Sequence, residues 1–133
     1  MREIEVVGAP GGPQVERYAA ATLDRLAVHS CHVAIEFVGV ERMRELNRDH
    51  RGKEEPTDVL SFPIDGEAFA LGDLPPSDEH PLELGDVLIC EPQTTDVEEA
   101  VVHGVLHLCG YDHESDEGQM LALQDEIVED LRS

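Results

Sequence analysis

The sequence predicts a single α+β domain in which helices pack on a mixed β-sheet. The chain has 133 residues, enough to bury a core without disulfide staples. Segments with apolar side chains at every second position alternate with segments of helical periodicity, in the order β-α-β-α-β-β-α-α. No repeat or internal linker divides the sequence, so residues 1–133 are expected to form one domain.

The first half of the chain predicts two strand–helix pairs. Residues 2–7 alternate apolar and acidic side chains and favour a strand, which the glycine- and proline-rich residues 8–13 end in a turn. Residues 14–28 have the apolar stripe of an amphipathic helix. Residues 32–39 alternate as a second strand, and a second helix is expected over residues 41–49.

The second half predicts two strands and two helices. Strands are expected over residues 59–62 and 86–90, with the acidic, proline-rich residues 64–83 forming a long loop between them. Residues 97–109 are apolar on nearly all sides, which indicates a buried helix. A last helix is expected over residues 115–131, because acids near its start favour a helix N-terminus.

The segment His103-Gly-Val-Leu-His107-Leu-Cys-Gly-Tyr-Asp-His113 predicts a metal site on a helix and the turn that follows it. Histidines four apart project from one helix face, roughly 6 Å apart at their base, and can share one ion. Gly110 suits the left-handed residue that ends a helix and lets the chain return with His113. Three imidazoles form an open zinc site, whereas Cys109 is expected to pack in the core.

The alternative interpretation of this segment is a core helix with incidental histidines. The ligand spacing also occurs in the metzincin proteases, whose pattern is H-E-x-x-H-x-x-G-x-x-H. Their general base, a glutamate, is replaced here by Gly104, which argues against peptide hydrolysis. A zinc metallopeptidase-like hydrolase nevertheless stays among the alternatives.

The bases of this acidic chain are clustered. Its formal net charge is −21, from 30 acids and 9 bases, which opposes RNA binding overall. Five bases nevertheless lie within twelve residues. They are Arg42, Arg44, Arg48, Arg51 and Lys53. Arg44, Arg48 and Arg51 share one helix face and suit phosphate contact, although neighbouring acids also fit an ordinary solvated surface.

Three ordered blocks resemble the YbeY family of bacterial metal-dependent endoribonucleases, which are linked to ribosomal RNA maturation. The blocks are His103 to His113, residues 46–63 and residues 84–89. The resemblance covers most of the chain and implies about four strands, surrounding helices and a metal in a cleft. It also implies that His103, His107 and His113 hold one Zn²⁺ per chain and that Arg51 is the functional arginine near the metal.

The resemblance leads to a mechanistic hypothesis for cleavage of single-stranded ribosomal RNA. Zinc would lower the pKa of a bound water to about 7. Arg51 would act as the catalytic arginine by pairing with non-bridging phosphate oxygens, while Arg44 and Arg48 would position the RNA strand. The sequence identifies no general base. Asp112 fits either an outer carboxylate for His113 or a turn residue.

Composition limits the setting in which the protein works. Three widely spaced cysteines predict no disulfide framework and fit a reducing cytoplasm. No apolar run approaches the roughly 20 residues that span a bilayer, so no membrane partner is expected. Ribosomal RNA and the small ribosomal subunit or its proteins are the expected partners. A ribosome-associated binding module and a small-molecule metallohydrolase stay as alternatives, and the oligomeric state is open.

Overall fold

The computed structural model describes residues 2–8, 12–51, 58–64, 82–111 and 117–133, apart from the side chains of residues 12, 13, 50, 51, 82 and 93. The elements are β1 (Arg2–Val7), α1 (Gly12–Arg25), β2 (Cys31–Phe37), α2 (Val40–Arg51), β3 (Val59–Pro63), β4 (Leu82–Ile89), a 3-10 turn (Glu91–Gln93), α3 (Val97–Leu108) and α4 (Gln119–Arg132). Their order is the order that the sequence predicts.

The four strands form one mixed sheet with the order β1-β2-β4-β3. Strands β1, β2 and β4 are parallel, whereas β3 runs antiparallel to β4. The crossover from β1 to β2 contains α1, as a parallel connection requires. The prediction of an α+β fold with a mixed, four-stranded sheet is confirmed.

The main core lies between the sheet and helices α1 and α3, and α4 packs against these two helices. Val33, Ile35 and Val87 point from the sheet into this core and are fully buried. Helix α3 is buried along most of its length, which confirms the interpretation of its continuous apolar sequence. Leu88 lies between two residues that face the main core, so it points to the opposite sheet face, where it packs with Met43 of α2.

Strand β4 begins at Leu82, four residues before the expected start at residue 86. The expectation that the loop extends to Glu83 is therefore wrong, because residues 82 and 83 belong to the strand. The expected loop residues 65–81 lie outside the described residues. The strand contains a bulge, because His32 pairs with Glu83 while the next residue, Val33, pairs with Gly85. Gly85 has φ +131°, and a Cβ there would lie 2.1 Å from the Phe62 carbonyl oxygen, so only glycine fits.

Two helix boundaries also differ from the predictions. Helix α4 begins at Gln119 rather than near residue 115, after Gly118 in a left-handed conformation with φ 100°. Glu117 therefore precedes the helix instead of lying in its first turn. Helix α1 ends at Arg25 rather than at residue 28. Shortly after this end, Ala27 takes a left-handed conformation with φ 58°. Within the described ranges, no helix has the length and apolar character needed to cross a bilayer.

Asp96 connects the start of α3 to the end of α4. Its side chain accepts a hydrogen bond from the backbone N–H of Glu99 at 3.1 Å, which caps the helix. The same carboxylate accepts from the Arg132 guanidinium at 2.9 Å. This bond to Arg132 lowers the pKa of Asp96 in the folded protein.

Asp96→Asn is expected to keep a capping oxygen but to weaken the interaction with Arg132. Because the folded-state pKa lies below the unfolded value of about 3.9, the stabilisation is present above that value and is lost as pH falls through the folded pKa. Urea unfolding should show a stability difference from wild type at pH 7 that shrinks towards pH 2. Asp96→Ala should lose a further 0.5–2 kcal/mol, roughly the value of a cap. A pH-independent difference for Asp96→Asn would contradict this account.

Candidate metal centre

Helix α3 carries His103 and His107 on one face, one turn apart. Their ring centroids lie 4.8 Å apart, and the ring planes meet at 75°. Both residues are partly buried within a helix whose other faces are packed in the core. The two imidazoles are therefore adjacent, as the i, i+4 spacing predicts.

The helix ends at a glycine turn directly after His107. Gly110 has φ 100°, and its N–H donates to the His107 carbonyl at 3.0 Å. The N–H of Tyr111 donates to the Leu106 carbonyl at 3.1 Å. These two bonds form a Schellman motif, in which a left-handed residue reverses the chain. The predicted glycine stop is confirmed.

This turn also fixes the ring of His107. The Tyr111 carbonyl oxygen lies 2.9 Å from His107 Nδ1. A carbonyl can only accept, so Nδ1 carries the proton and donates. The main chain therefore orients His107. The side chain of Tyr111 packs on the core, and its main-chain carbonyl is the acceptor for His107.

His103 is held by a side chain from α4. Gln124 Oε1 lies 2.8 Å from His103 Nδ1 and accepts a hydrogen bond from it. Gln124 is only 5% exposed, between the buried residues Met120, Ile127 and Val128 of the same helix. Sequence reasoning did not find this contact. The available signal was an amide among the apolar residues of a core-facing stripe.

The two hydrogen bonds give both rings the same protonation pattern. A neutral imidazole that donates from Nδ1 has its lone pair on Nε2. Histidines that bind metals through one nitrogen almost always donate from the other to a carbonyl, a carboxylate or water. The two imidazoles therefore fit a metal ion that binds nitrogen ligands, such as zinc.

The third expected ligand, His113, and its neighbour Asp112 lie outside the described residues. Within the part of the chain that is described, no three His, Cys, Asp or Glu side chains could hold a metal together. Cys109 is 3% exposed, and burial raises the pKa of its thiol to about 12. The prediction that Cys109 packs in the core is confirmed.

Gly104 lies where α3 meets the sheet. A Cβ at this position would be 2.4 Å from Cγ1 of Val87 on β4. The Ser61 hydroxyl on β3 donates to the Gly104 carbonyl at 3.2 Å, which joins the helix to a second strand. Position 104 therefore faces the core, and the glutamate that a metzincin carries there could not be accommodated, which argues against the peptidase alternative.

The arginines of α2 lie among acids. Arg44 contacts Glu41 at 3.0 Å, and Arg48 contacts Asp49 at 3.3 Å. All four side chains are exposed. Arg51 is the last residue of α2, but its side chain lies outside the described part. A phosphate that binds Arg44 or Arg48 would compete with these carboxylates for the guanidinium.

Two polar residues at the sheet have local roles. Asp58 accepts from the Val59 N–H at 2.9 Å, so it fixes the start of β3. His32 contacts Glu83 on the neighbouring strand at 2.6 Å. The hydrogen bond to Glu83 raises the pKa of His32. Residues 52–57, including Lys53 and Thr57, lie outside the described residues.

Known proteins match this chain over nearly its whole length. Residues 13–132 match the family model described as Endoribonuclease YbeY. The Endoribonuclease YbeY of Persephonella marina is 38% identical over 126 residues, covering 84% of this chain and 77% of the relative. That of Geobacillus thermodenitrificans is 40% identical over 131 residues, covering 86% of this chain and 81% of the relative.

A solved structure shares the fold. The solution structure of TM1509 from Thermotoga maritima matches with a TM-score of 0.53 and 25% sequence identity, over 95% of this chain and 87% of that chain. The family match includes α3, its two histidines and the glycine turn. From these matches we conclude that the chain belongs to the YbeY family of endoribonucleases.

Proposed function

We propose that this protein is a zinc-dependent endoribonuclease that cleaves single-stranded RNA in ribosomal RNA maturation and ribosome quality control. The observation that carries the proposal is the pair of imidazoles on α3, each donating from Nδ1 to a fixed oxygen. This pattern prepares both Nε2 atoms for a metal. The family relationship supplies the reaction class.

One zinc ion per chain would be held by His103, His107 and His113. The reach of the chain supports the third ligand, because the Tyr111 carbonyl already contacts the His107 ring. Two further residues extend the chain by up to about 7 Å, so position 113 can return to the histidine face. Three imidazole ligands leave one position of a tetrahedral zinc site for water or substrate.

The chemistry would be divided between the metal and the arginines. When bound, zinc supplies Lewis acidity and activates water at neutral pH. Arg51 pairs with the non-bridging oxygens of the scissile phosphate and offsets the charge that develops there. Arg44 and Arg48 hold the strand through neighbouring phosphates, which compete with Glu41 and Asp49 for the two guanidinium groups.

RNA is the proposed substrate, and ribosomal RNA in the cytoplasm is the proposed target. The acidity of the chain supports a restricted docking mode, because a net charge of −21 over the whole sequence repels a polyanion. Five of the nine bases lie in residues 42–53, so favourable contact with RNA is concentrated there. The small ribosomal subunit or its proteins would then orient the substrate.

The test combines metal analysis with RNA cleavage. Purified protein is analysed for zinc, nickel and manganese, and is then incubated with a single-stranded ribosomal RNA fragment and a duplex control. We expect one zinc per chain, cleavage of the single strand, loss of cleavage after chelation and recovery on adding zinc. Cleavage that persists in the chelated, metal-free protein would overturn the proposal.

Arg51→Ala should retain zinc and lose cleavage, because the arginine is proposed to contact phosphate rather than metal. Loss of one group that stabilises transition-state charge lowers kcat about 10²–10³-fold. Metal content and single-turnover cleavage are measured side by side. The matched control is Arg17→Ala, an exposed arginine on α1, which should cleave at the wild-type rate. Wild-type cleavage by Arg51→Ala would remove Arg51 from the mechanism.

A further inference from the structure

We propose that Gln124 is a positioning residue for the metal centre. Its side-chain oxygen would hold His103 in the tautomer that presents the Nε2 lone pair to the ion. This inference rests on the proposed function, because it treats His103 as a zinc ligand. It adds a residue of the last helix to a site otherwise built from α3 and the turn beyond it.

The burial of Gln124 is the first argument. The residue is 5% exposed on the face of α4 that contains Met120, Ile127 and Val128. Burying an amide without a hydrogen-bond partner is unfavourable, and an apolar residue would pack here without that penalty. The 2.8 Å contact with His103 Nδ1 supplies the partner and explains the polar residue.

The direction of the hydrogen bond is the second argument. Gln124 presents Oε1, an acceptor, to His103, so His103 donates from Nδ1. The reversed amide would present an N–H donor and would place the ring proton on Nε2. That tautomer could not bind a metal through Nε2. Metal binding through Nε2 and the orientation of the Gln124 amide, with Oε1 towards Nδ1, therefore both require the ring proton on Nδ1.

The contrast with His107 makes the proposal testable. His107 donates to the main-chain carbonyl of Tyr111, which side-chain substitution does not remove. His103 donates to a side chain, so one substitution can delete its acceptor. Losing the outer partner of a metal-bound histidine typically lowers metal affinity or activity about 10–100-fold.

The decisive variants are Gln124→Met, which keeps a similar shape without a strong acceptor, and Gln124→Glu, which keeps the acceptor. Zinc affinity is measured by competition with a chromogenic chelator. Gln124→Met should bind zinc about 10–100-fold more weakly, whereas Gln124→Glu should bind within a few-fold of wild type. The matched control, Ile127→Val, removes one methyl group from the same buried face and should leave zinc affinity unchanged.

A second measurement uses metal-free protein. Long-range ¹H–¹⁵N spectra report which ring nitrogen of His103 carries the proton. Wild type and Gln124→Glu should show the proton on Nδ1, whereas Gln124→Met should populate both tautomers. Thermal melts of the metal-free variants, compared with Ile127→Val, show whether a loss of affinity merely follows a loss of stability.

Wild-type zinc affinity and an unchanged His103 tautomer in Gln124→Met would overturn the inference. Equal weakening of zinc binding in Gln124→Met and Ile127→Val would also overturn it, because packing alone would then account for the effect. Failure of wild type to bind zinc would reject the proposed function instead. The tautomer spectra would still decide whether Gln124 orients His103.

Discussion

His107→Ala is expected to lose both zinc and ribonuclease activity. The substitution removes one of three proposed ligands, and two imidazoles cannot complete an open zinc site. The loss in zinc affinity should exceed the roughly 10–100-fold expected when only an outer partner is removed. Metal content after dialysis and single-turnover cleavage of single-stranded RNA measure the two effects.

The control for His107→Ala is another histidine substitution. His29 is exposed in the segment between α1 and β2, so His29→Ala should retain one zinc per chain and cleave at the wild-type rate. Circular dichroism should show that both variants fold, because α3 is held mainly by its buried apolar residues. A folded His107→Ala protein that still carries one zinc per chain would contradict the proposed ligand set.

Gly104→Glu is expected to lose more than about 4 kcal/mol of stability, a loss that only a few mechanisms produce. The substitution would restore the H-E-x-x-H pattern of a zinc peptidase, but its Cβ would lie 2.4 Å from Val87 Cγ1. The carboxylate would enter the core between α3 and β4, where burial of an unpaired charge is strongly unfavourable. Chemical unfolding monitored by circular dichroism measures the loss.

Smaller changes at this contact isolate its steric part. Gly104→Ala should lose about 1–3 kcal/mol through overpacking, partly offset by about 1 kcal/mol of helix propensity. In a Val87→Ala background the same substitution should be neutral or stabilising, because the atoms that clash are gone. Leu121→Glu, on an exposed position of α4, should change stability by no more than about 0.5 kcal/mol. Wild-type stability of Gly104→Glu would show that α3 does not approach β4 this closely.

The sequence predicted the features of the site that depend on local spacing. The adjacency of His103 and His107 follows from helical periodicity, and the chain reversal follows from Gly110. Both are properties of consecutive residues. The position of His113 relative to the two rings and the role of Arg51 stay predictions, because neither side chain is described.

The features that sequence reasoning missed depend on contacts between distant segments. Gln124 lies 21 residues from His103 in the sequence, and the two side chains meet only because α4 packs against α3. Gly85 similarly hid the start of β4, because glycine in a strand weakens the periodic signal even where a bulge requires it.

The contact between Gln124 and His103 would link the last helix thermodynamically to the proposed metal. Linkage is reciprocal. If the packing of α4 makes ion binding more favourable by some free energy, the bound ion must stabilise the packing of α4 by the same free energy. Zinc would thus stabilise the packing of α4 in addition to taking part in catalysis. Starvation for the metal would loosen this part of the fold together with the chemistry it serves.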